Sequence, residues 1–252
     1  MILIGSVEVK VLVACEESQR VCTEFRNLGH EAYSNDVQKC SGEHPEWHIL
    51  MDARSVLGGG VMRLQNGKKV TIEKWDLIIA HPPCTYLSNV ATRQHSIKMT
   101  PENAIEGRTL ARISAMQFFM ECVRANCDKI AVENPVGIMN TAFRKPDQII
   151  EPYQFADSVD DAENYVTKRT CLWLKNLPQL KVNDLPKPDN AKIFGVLKNG
   201  KPKDWEMAHG KHPLKEWSAY QCYEDKIRDS KLRSKTFPGI AKAMATQWGG
   251  QA

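Results

Sequence analysis

Cys84 stands directly behind two prolines where an apolar run ends, in "WDLIIAHPPCTYLSNVA". A thiol attacks carbon as the thiolate, so a reactive cysteine needs a polar, electropositive and partly open position. A strand terminus offers the opening, and Pro82 and Pro83 restrain the turn, because each proline locks its own φ and drives the preceding residue toward extended backbone. "DKIAVENP" ends another apolar run, in Glu133 and Asn134. "VKVLVAC" runs into Cys15, Glu16 and Glu17, and "HEAYSND" ends in Asp36. Each group of polar side chains follows a strand-like stretch. Were Cys84 the nucleophile of a thiol–imidazole enzyme, His81 and His95 would be the bases nearest to it in sequence.

The elements that must carry these residues alternate. Val9 to Cys15 is a β-branched apolar run, and the next stretch, "ESQRVCTEFRNLG", has Val21, Phe25 and Leu28 at helical spacing before Gly29, a helix stop. "WDLIIAHPP" is apolar enough for a strand buried on both faces. "TLARISAMQFFMECVRAN" predicts a long amphipathic helix, and "RTCLWLKNLPQL" a fifth strand. Strands alternating with helices imply βαβ units: an α/β fold with a mostly parallel sheet and helices on both faces. In such sheets ligands bind beyond the carboxyl ends of the strands. Cys15 to Glu17, Asp36, His81 to Cys84, and Glu133 with Asn134 should therefore converge on one sheet edge.

The order of these motifs resembles the cytosine-5 DNA methyltransferase family. There the nucleophile lies in Pro-Pro-Cys after a strand, and a Glu-Asn-Val motif or a close variant follows the next strand; here these are Pro82-Pro83-Cys84 and Glu133-Asn134-Pro135. The resemblance implies a Rossmann-like class I methyltransferase fold, S-adenosylmethionine as cofactor, double-stranded DNA as partner, and no metal. It implies that Cys84 adds to carbon 6 of a flipped-out cytosine while Glu133 engages ring nitrogen 3. Arg169 in "VTKRTCLWL" matches a base-contacting arginine, with Lys168 beside it and Thr167 where many relatives have a further arginine. Asp36 and Asp52 match acidic residues that hold ribose and adenine, and Pro82 joins the cofactor contacts. "RSKTFPGIAKAMA" is similar to the family's final motif, which makes Ser234 and Thr236 cofactor contacts. The first motif departs from the family: "ACEESQR" stands in place of Phe-x-Gly-x-Gly, so Cys15, Glu16, Glu17 and Ser18 are expected to meet the cofactor through the helix N-terminus and side chains. Thr85 departs as well, where many relatives have Gln.

Composition narrows the rest. The 252 residues allow one large domain with a small appendage, and 42% hydrophobic with 25% charged residues is ordinary globular protein. The opening "MILIGSVEVKVLVAC" lacks a basic leader region and reads as a first strand. No run approaches the ~18 apolar residues of a membrane span. Eight cysteines without paired Cys/His ligand spacing read as reduced thiols of a cytoplasmic protein, with Cys122 and Cys127 in the core, and the resemblance implies a compact monomer of bacterial or phage type. From Pro178 the texture turns rich in Pro, Lys, Asn and Gly. The expected organisation is a catalytic part at 1–177, a small target-recognition subdomain at 178–233, and a closing segment at 234–252 whose helix, opened by Pro238, buries Ile240, Met244 and Trp248. In the subdomain Trp205, His209, Lys211, His212, Trp217 and Tyr220 mix aromatic and cationic groups, a combination suited to stacking on bases and neutralising phosphates. The same chemistry on RNA or on a modified pyrimidine, and a catalytically silent nucleic-acid-binding relative, are the competing readings.

Overall fold

The computed structural model describes residues 8–93, 95, 102–190, 192, 195, 196, 200, 201 and 234–251. Five strands come first in the chain: β1 (Lys10–Ala14), β2 (Glu31–Asp36), β3 (His48–Leu50), β4 (Gly60–Arg63) and β5 (Lys69–Ile72). They are followed by β6 (Leu77–Ala80), β7 (Lys129–Pro135), β8 (Gln148–Ile150) and β9 (Thr170–Lys175). The helices are α1 (Arg20–Asn27), α2 (Asn89–Arg93), α3 (Glu102–Val123), α4 (Met139–Ala142) and α5 (Pro238–Trp248).

Seven strands form one sheet in the order β3-β2-β1-β6-β7-β9-β8. The β3–β2, β2–β1, β1–β6 and β6–β7 pairs are parallel, and β7–β9 is antiparallel. The protein is thus α/β with a mostly parallel sheet flanked by helices, compatible with a Rossmann-like fold. Starting from β1, the chain builds outward through β2 and β3, then returns to β6 on the other side of β1. That reversal is the topological switch point of a doubly wound sheet, and it opens a crevice past the carboxyl ends of β1 and β6.

Burial explains the sequence pattern. β6 is buried at all four positions and β1 at its last four, as strands covered on both faces must be. Trp75 and Trp173 are fully buried, with the Trp75 indole N–H donating to the Val56 carbonyl at 2.8 Å and Phe119 of α3 meeting Trp173 edge to face at 5.0 Å between centroids. Cys122 and Cys127 are core residues, and Ile240, Met244 and Trp248 are buried on α5. Between β3 and β6 the crossover is made by a short 3-10 turn and the β4–β5 hairpin, which lends Met62, Leu64 and Ile72 to the core. Nothing in the sequence reading anticipated β3 or this hairpin.

The chain divides into two compact units, Met1–Ile149 with Arg169–Lys181 and Lys242–Ala252, and Ile150–Lys168 with Val182–Ala241. In the second unit, the Asn183 amide group donates to the Ala156 carbonyl at 2.7 Å and the Tyr165 hydroxyl to the Pro186 carbonyl at 3.0 Å. Asn164 accepts from the Gly239 amide at 2.8 Å. No helix among the described residues is long and apolar enough to cross a membrane.

Candidate active site

At the switch point the chain leaves β1 through Cys15, which takes a left-handed φ of 60° although it is not glycine. Gln19 repeats that conformation, also at φ 60°, just before α1. Two left-handed residues fold "CEESQ" into a compact turn without the glycines its position leads one to expect. Side chains hold the turn. The Glu16 carboxylate accepts from the amides of Val21 at 2.6 Å and Cys22 at 3.2 Å, and so occupies the N-terminus of α1. The Gln19 amide group donates to the His44 carbonyl at 2.8 Å and accepts from the His44 amide at 3.1 Å. One Glu17 oxygen accepts from the Ser41 amide at 3.0 Å, while its other oxygen is buried with no hydrogen-bond partner. Ser18 is half-buried in the same turn. The Val21 and Cys22 amides are thus spent on Glu16, because a carboxyl group four residues ahead of the helix can fold back onto its first turn as a strong acceptor.

Four carboxyl groups stand at these strand ends, Glu16 and Glu17 buried and Asp36 and Asp52 less so. Burial pushes the Glu16 carboxyl up, against the pull of His81 and its two amide donors. Burial also pushes the Cys15 thiol well up, and the nearby Cys122, Asp36 and Asp52 push the same way while Arg54 opposes them. Asp36, at the carboxyl end of β2, accepts from the Gln38 amide, and Asp52, one turn past β3, accepts from the Arg54 amide at 2.8 Å. Arg54 itself is engaged by Glu121 at 2.7 Å. Val37, 70% exposed beside Asp36, gives the acidic rim one apolar surface that the sequence reading missed.

Cys84 and Glu133 come from adjacent parallel strands, with Ala80 of β6 in register with Val132 of β7. The loops that follow are joined at four points. His81 Nδ1 lies 3.1 Å from Glu133 Oε2, and the buried Asn134 amide group donates to the Pro82 carbonyl at 2.6 Å. Further out, the Asn89 amide donates to the Val136 carbonyl at 3.2 Å and the Ile138 amide to the Leu87 carbonyl at 2.8 Å. Gly137 pairs with Ser88 as an isolated bridge, and a Cβ there would collide with the Leu87 carbonyl oxygen. Between the joins Cys84 is exposed, its carbonyl accepting from the amides of Leu87 and Ser88, both at 3.0 Å. Of the two prolines before the thiol, Pro82 is buried and Pro83 is exposed.

Three arginines stand on the neighbouring elements. β9 runs antiparallel to β7 with Thr170 opposite Pro135, so the exposed Arg169 enters the sheet at the edge where Glu133 leaves it. On the other flank Arg112 of α3 donates to the Tyr86 carbonyl at 3.1 Å, and the Arg108 guanidinium lies 5.7 Å from the Tyr86 ring centroid. Arg112 and Arg108 thus pack against the chain two residues past Cys84, contacts the sequence did not reveal. His95 lies between two carbonyl acceptors, with Nδ1 3.0 Å from the Ala91 carbonyl and Nε2 3.2 Å from the Arg108 carbonyl, in the support of the loop.

Cys15 to Ser18, Asp36, Asp52, Pro82, Cys84, Glu133 and Arg169 all fall at the carboxyl edge of the one sheet. Lys168, Ser234 and Thr236 belong to the second unit, where the Lys168 ammonium stands 5.7 Å from the Phe237 ring centroid. Thr167, also there, exchanges hydrogen bonds with Asn190 at 2.8 and 3.0 Å. Trp205, His209, Lys211, His212, Trp217 and Tyr220 lie outside the described residues. Among the described residues no group of three His, Cys, Asp or Glu side chains gathers to hold a metal ion. No model of a known protein family matches the chain, and no curated protein matches it.

Proposed function

We propose that this chain is an S-adenosylmethionine-dependent cytosine-5 methyltransferase acting on DNA, with Cys84 as nucleophile and Glu133 as the acid beside it. One observation carries the reading: the loops bearing the thiol and the carboxyl are fastened to each other, through Asn134 to Pro82 and His81 to Glu133, next to the switch point of the sheet. A thiol and a carboxyl held on one frame can act on a single flat ring. The strand order, with parallel β3, β2, β1, β6 and β7 followed by the reversed β9, suits a class I methyltransferase domain.

The crevice chemistry favours a cationic cofactor. Where a dinucleotide-binding fold presents free helix amides to a pyrophosphate, α1 has its amides filled by Glu16, and Glu17, Asp36 and Asp52 add negative charge. A phosphate would be repelled there. The buried, unpartnered oxygen of Glu17 is a ready acceptor for an ammonium group, and Asp36 for ribose hydroxyls. S-adenosylmethionine, when bound, supplies an electrophilic sulfonium methyl group for carbon 5.

The residues of this chain would act as follows. The Cys84 thiolate adds to carbon 6 of the extruded cytosine, forming the S–C bond as the carbon 5–carbon 6 π electrons move toward carbon 5 and the ring carbonyl and N3 system. Glu133 gives its proton to nitrogen 3, which holds the ring charge down until carbon 5 has been methylated. Arg169 lies where it can meet the base carbonyl. A solvent base then takes the carbon 5 proton, the carbon 5–carbon 6 double bond re-forms as the S–C bond breaks and the thiolate leaves, and nitrogen 3 returns its proton to Glu133.

The test is covalent trapping. Duplex DNA containing 5-fluorocytosine, with S-adenosylmethionine, should yield a denaturation-resistant adduct mapped to Cys84, and ordinary DNA should yield 5-methylcytosine. Adduct formation by Cys84→Ser, or no product from the wild-type chain across varied DNA, overturns the proposal; methylation of RNA alone would change the acceptor and leave the chemistry.

A further inference from the structure

His81 faces two carboxyl groups, Glu133 of β7 and Glu16 of the turn after β1, and the reaction above has no task for it. Its side chain is only 9% exposed, its backbone amide donates to the Ala14 carbonyl at 2.9 Å, and Nδ1 lies 3.1 Å from Glu133 Oε2. β6 thus delivers an imidazole to the middle of the site, against the end of β1 on one side and Glu133 of β7 on the other. A strand end needs no histidine. The His81 side chain is largely covered, and its contact with Glu133 Oε2 ties the ring to the carboxyl group of the neighbouring strand.

We propose that His81 is the positioning residue for Glu133: its Nδ1–H holds Oε2, so that Oε1 carries the proton that meets ring nitrogen 3. This deepens the methyltransferase reading and rests on it. As the S–C6 bond forms, the Oε1–H bond breaks, the N3–H bond forms, and Glu133 becomes a carboxylate. The His81 hydrogen bond then strengthens, because its acceptor has gained a full charge. An interaction that is stronger after proton transfer than before it lowers the barrier rather than merely tightening binding. On elimination the same proton returns from nitrogen 3 to Oε1, and His81 ends as it began.

The groups facing His81 set the pH at which this works. Glu133 faces it from β7, Glu16 from the turn after β1, and Cys84 lies three residues on in its own loop; Arg169, before β9, acts on the Glu133 side. Protonation of the imidazole would place a cation against Glu133 and hold it ionised, without a proton for the base. The addition step should therefore fail as pH falls through the imidazole titration, separately from any titration of the thiol.

Exchange of the cytosine carbon 5 hydrogen with solvent reports the addition step without methyl transfer. It should be followed with S-adenosylhomocysteine and cytosine DNA, for wild type, His81→Leu and His81→Asn. The side-chain amide nitrogen of Asn lies as many bonds from Cα as Nδ1, so it can donate to Oε2 but does not titrate. We expect His81→Leu to slow exchange by about 100-fold, His81→Asn to recover roughly tenfold of that, and the imidazole inflection of the wild-type pH profile to be absent from His81→Asn, with S-adenosylhomocysteine affinity unchanged in both. Should His81→Leu not fold, the pH profile of His81→Asn decides alone. Wild-type exchange with equal rates or an unaltered profile in the variants overturns the role of His81; no exchange by the wild-type chain overturns the methyltransferase reading instead.

Discussion

Gly137→Ala tests whether the two motif loops act as one frame. A Cβ at Gly137 would meet the Leu87 carbonyl oxygen head-on, with the Leu87 carbonyl carbon at 2.8 Å and Ser88 Cα at 2.9 Å. All three are backbone atoms, so no side chain can swing aside; the 84–89 loop must move away from the 136–138 loop. Two hydrogen bonds span that seam, Ile138 to Leu87 and Asn89 to Val136, each contributing about 1 kcal/mol. Overpacking against rigid backbone adds about 1–3 kcal/mol. The expected destabilisation is about 3–5 kcal/mol, against total stabilities of roughly 5–15 kcal/mol, so the variant should fold but unfold at lower urea. A shift of about 1 Å between thiol and carboxyl should also cost about 100-fold in addition rate, read as exchange of the cytosine carbon 5 hydrogen. Urea denaturation followed by tryptophan fluorescence measures the first quantity. A stability change below about 0.5 kcal/mol with wild-type exchange would show that the loops are not mechanically coupled.

Three further outcomes follow from particular contacts. Burial raises the Glu16 carboxyl, so the native state holds its proton more tightly than the unfolded chain; this contribution is present below the ordinary glutamate range and is lost as pH rises through the raised value. Glu16→Gln should therefore gain stability relative to wild type as pH climbs from about 4.5, and a stability difference independent of pH in urea titrations would refute the assignment. Arg112→Met removes the donor to the Tyr86 carbonyl and should raise amide hydrogen exchange at Leu87 and Ser88, whose N–H groups close the turn on Cys84; unchanged protection would mean that Arg112 does not brace the loop. Asp36→Asn should weaken S-adenosylhomocysteine binding by roughly tenfold in calorimetry, the equivalent of one charge-assisted hydrogen bond, and equal affinity would take Asp36 out of the cofactor site.

The sequence by itself determined the scaffold of the site. β1, β6 and β7 were legible because strands buried on both faces are mainly apolar, and the polar residues at their ends stand out against them: His81 to Cys84, Glu133 and Asn134; β2, which buries Ser34 and Asn35, was legible only as a short stretch after a helix stop, ending in Asp36. That these ends share one edge follows from parallel βαβ connectivity, which leaves little choice. Tertiary structure alone decided the rest. β3 spans only three residues, and the β4–β5 hairpin hides in a polar stretch, so neither carries enough periodicity to be read. Glu16 and Glu17 are neighbours of the same type, yet one caps α1 with both oxygens and the other keeps an oxygen unpartnered in the interior; only the path of the turn, set by left-handed Cys15 and Gln19, separates them. The hydrogen bonds from Asn134 to Pro82 and between His81 and Glu133 link residues more than fifty positions apart, and such partners are chosen by the register of β6 against β7 and not by any local pattern.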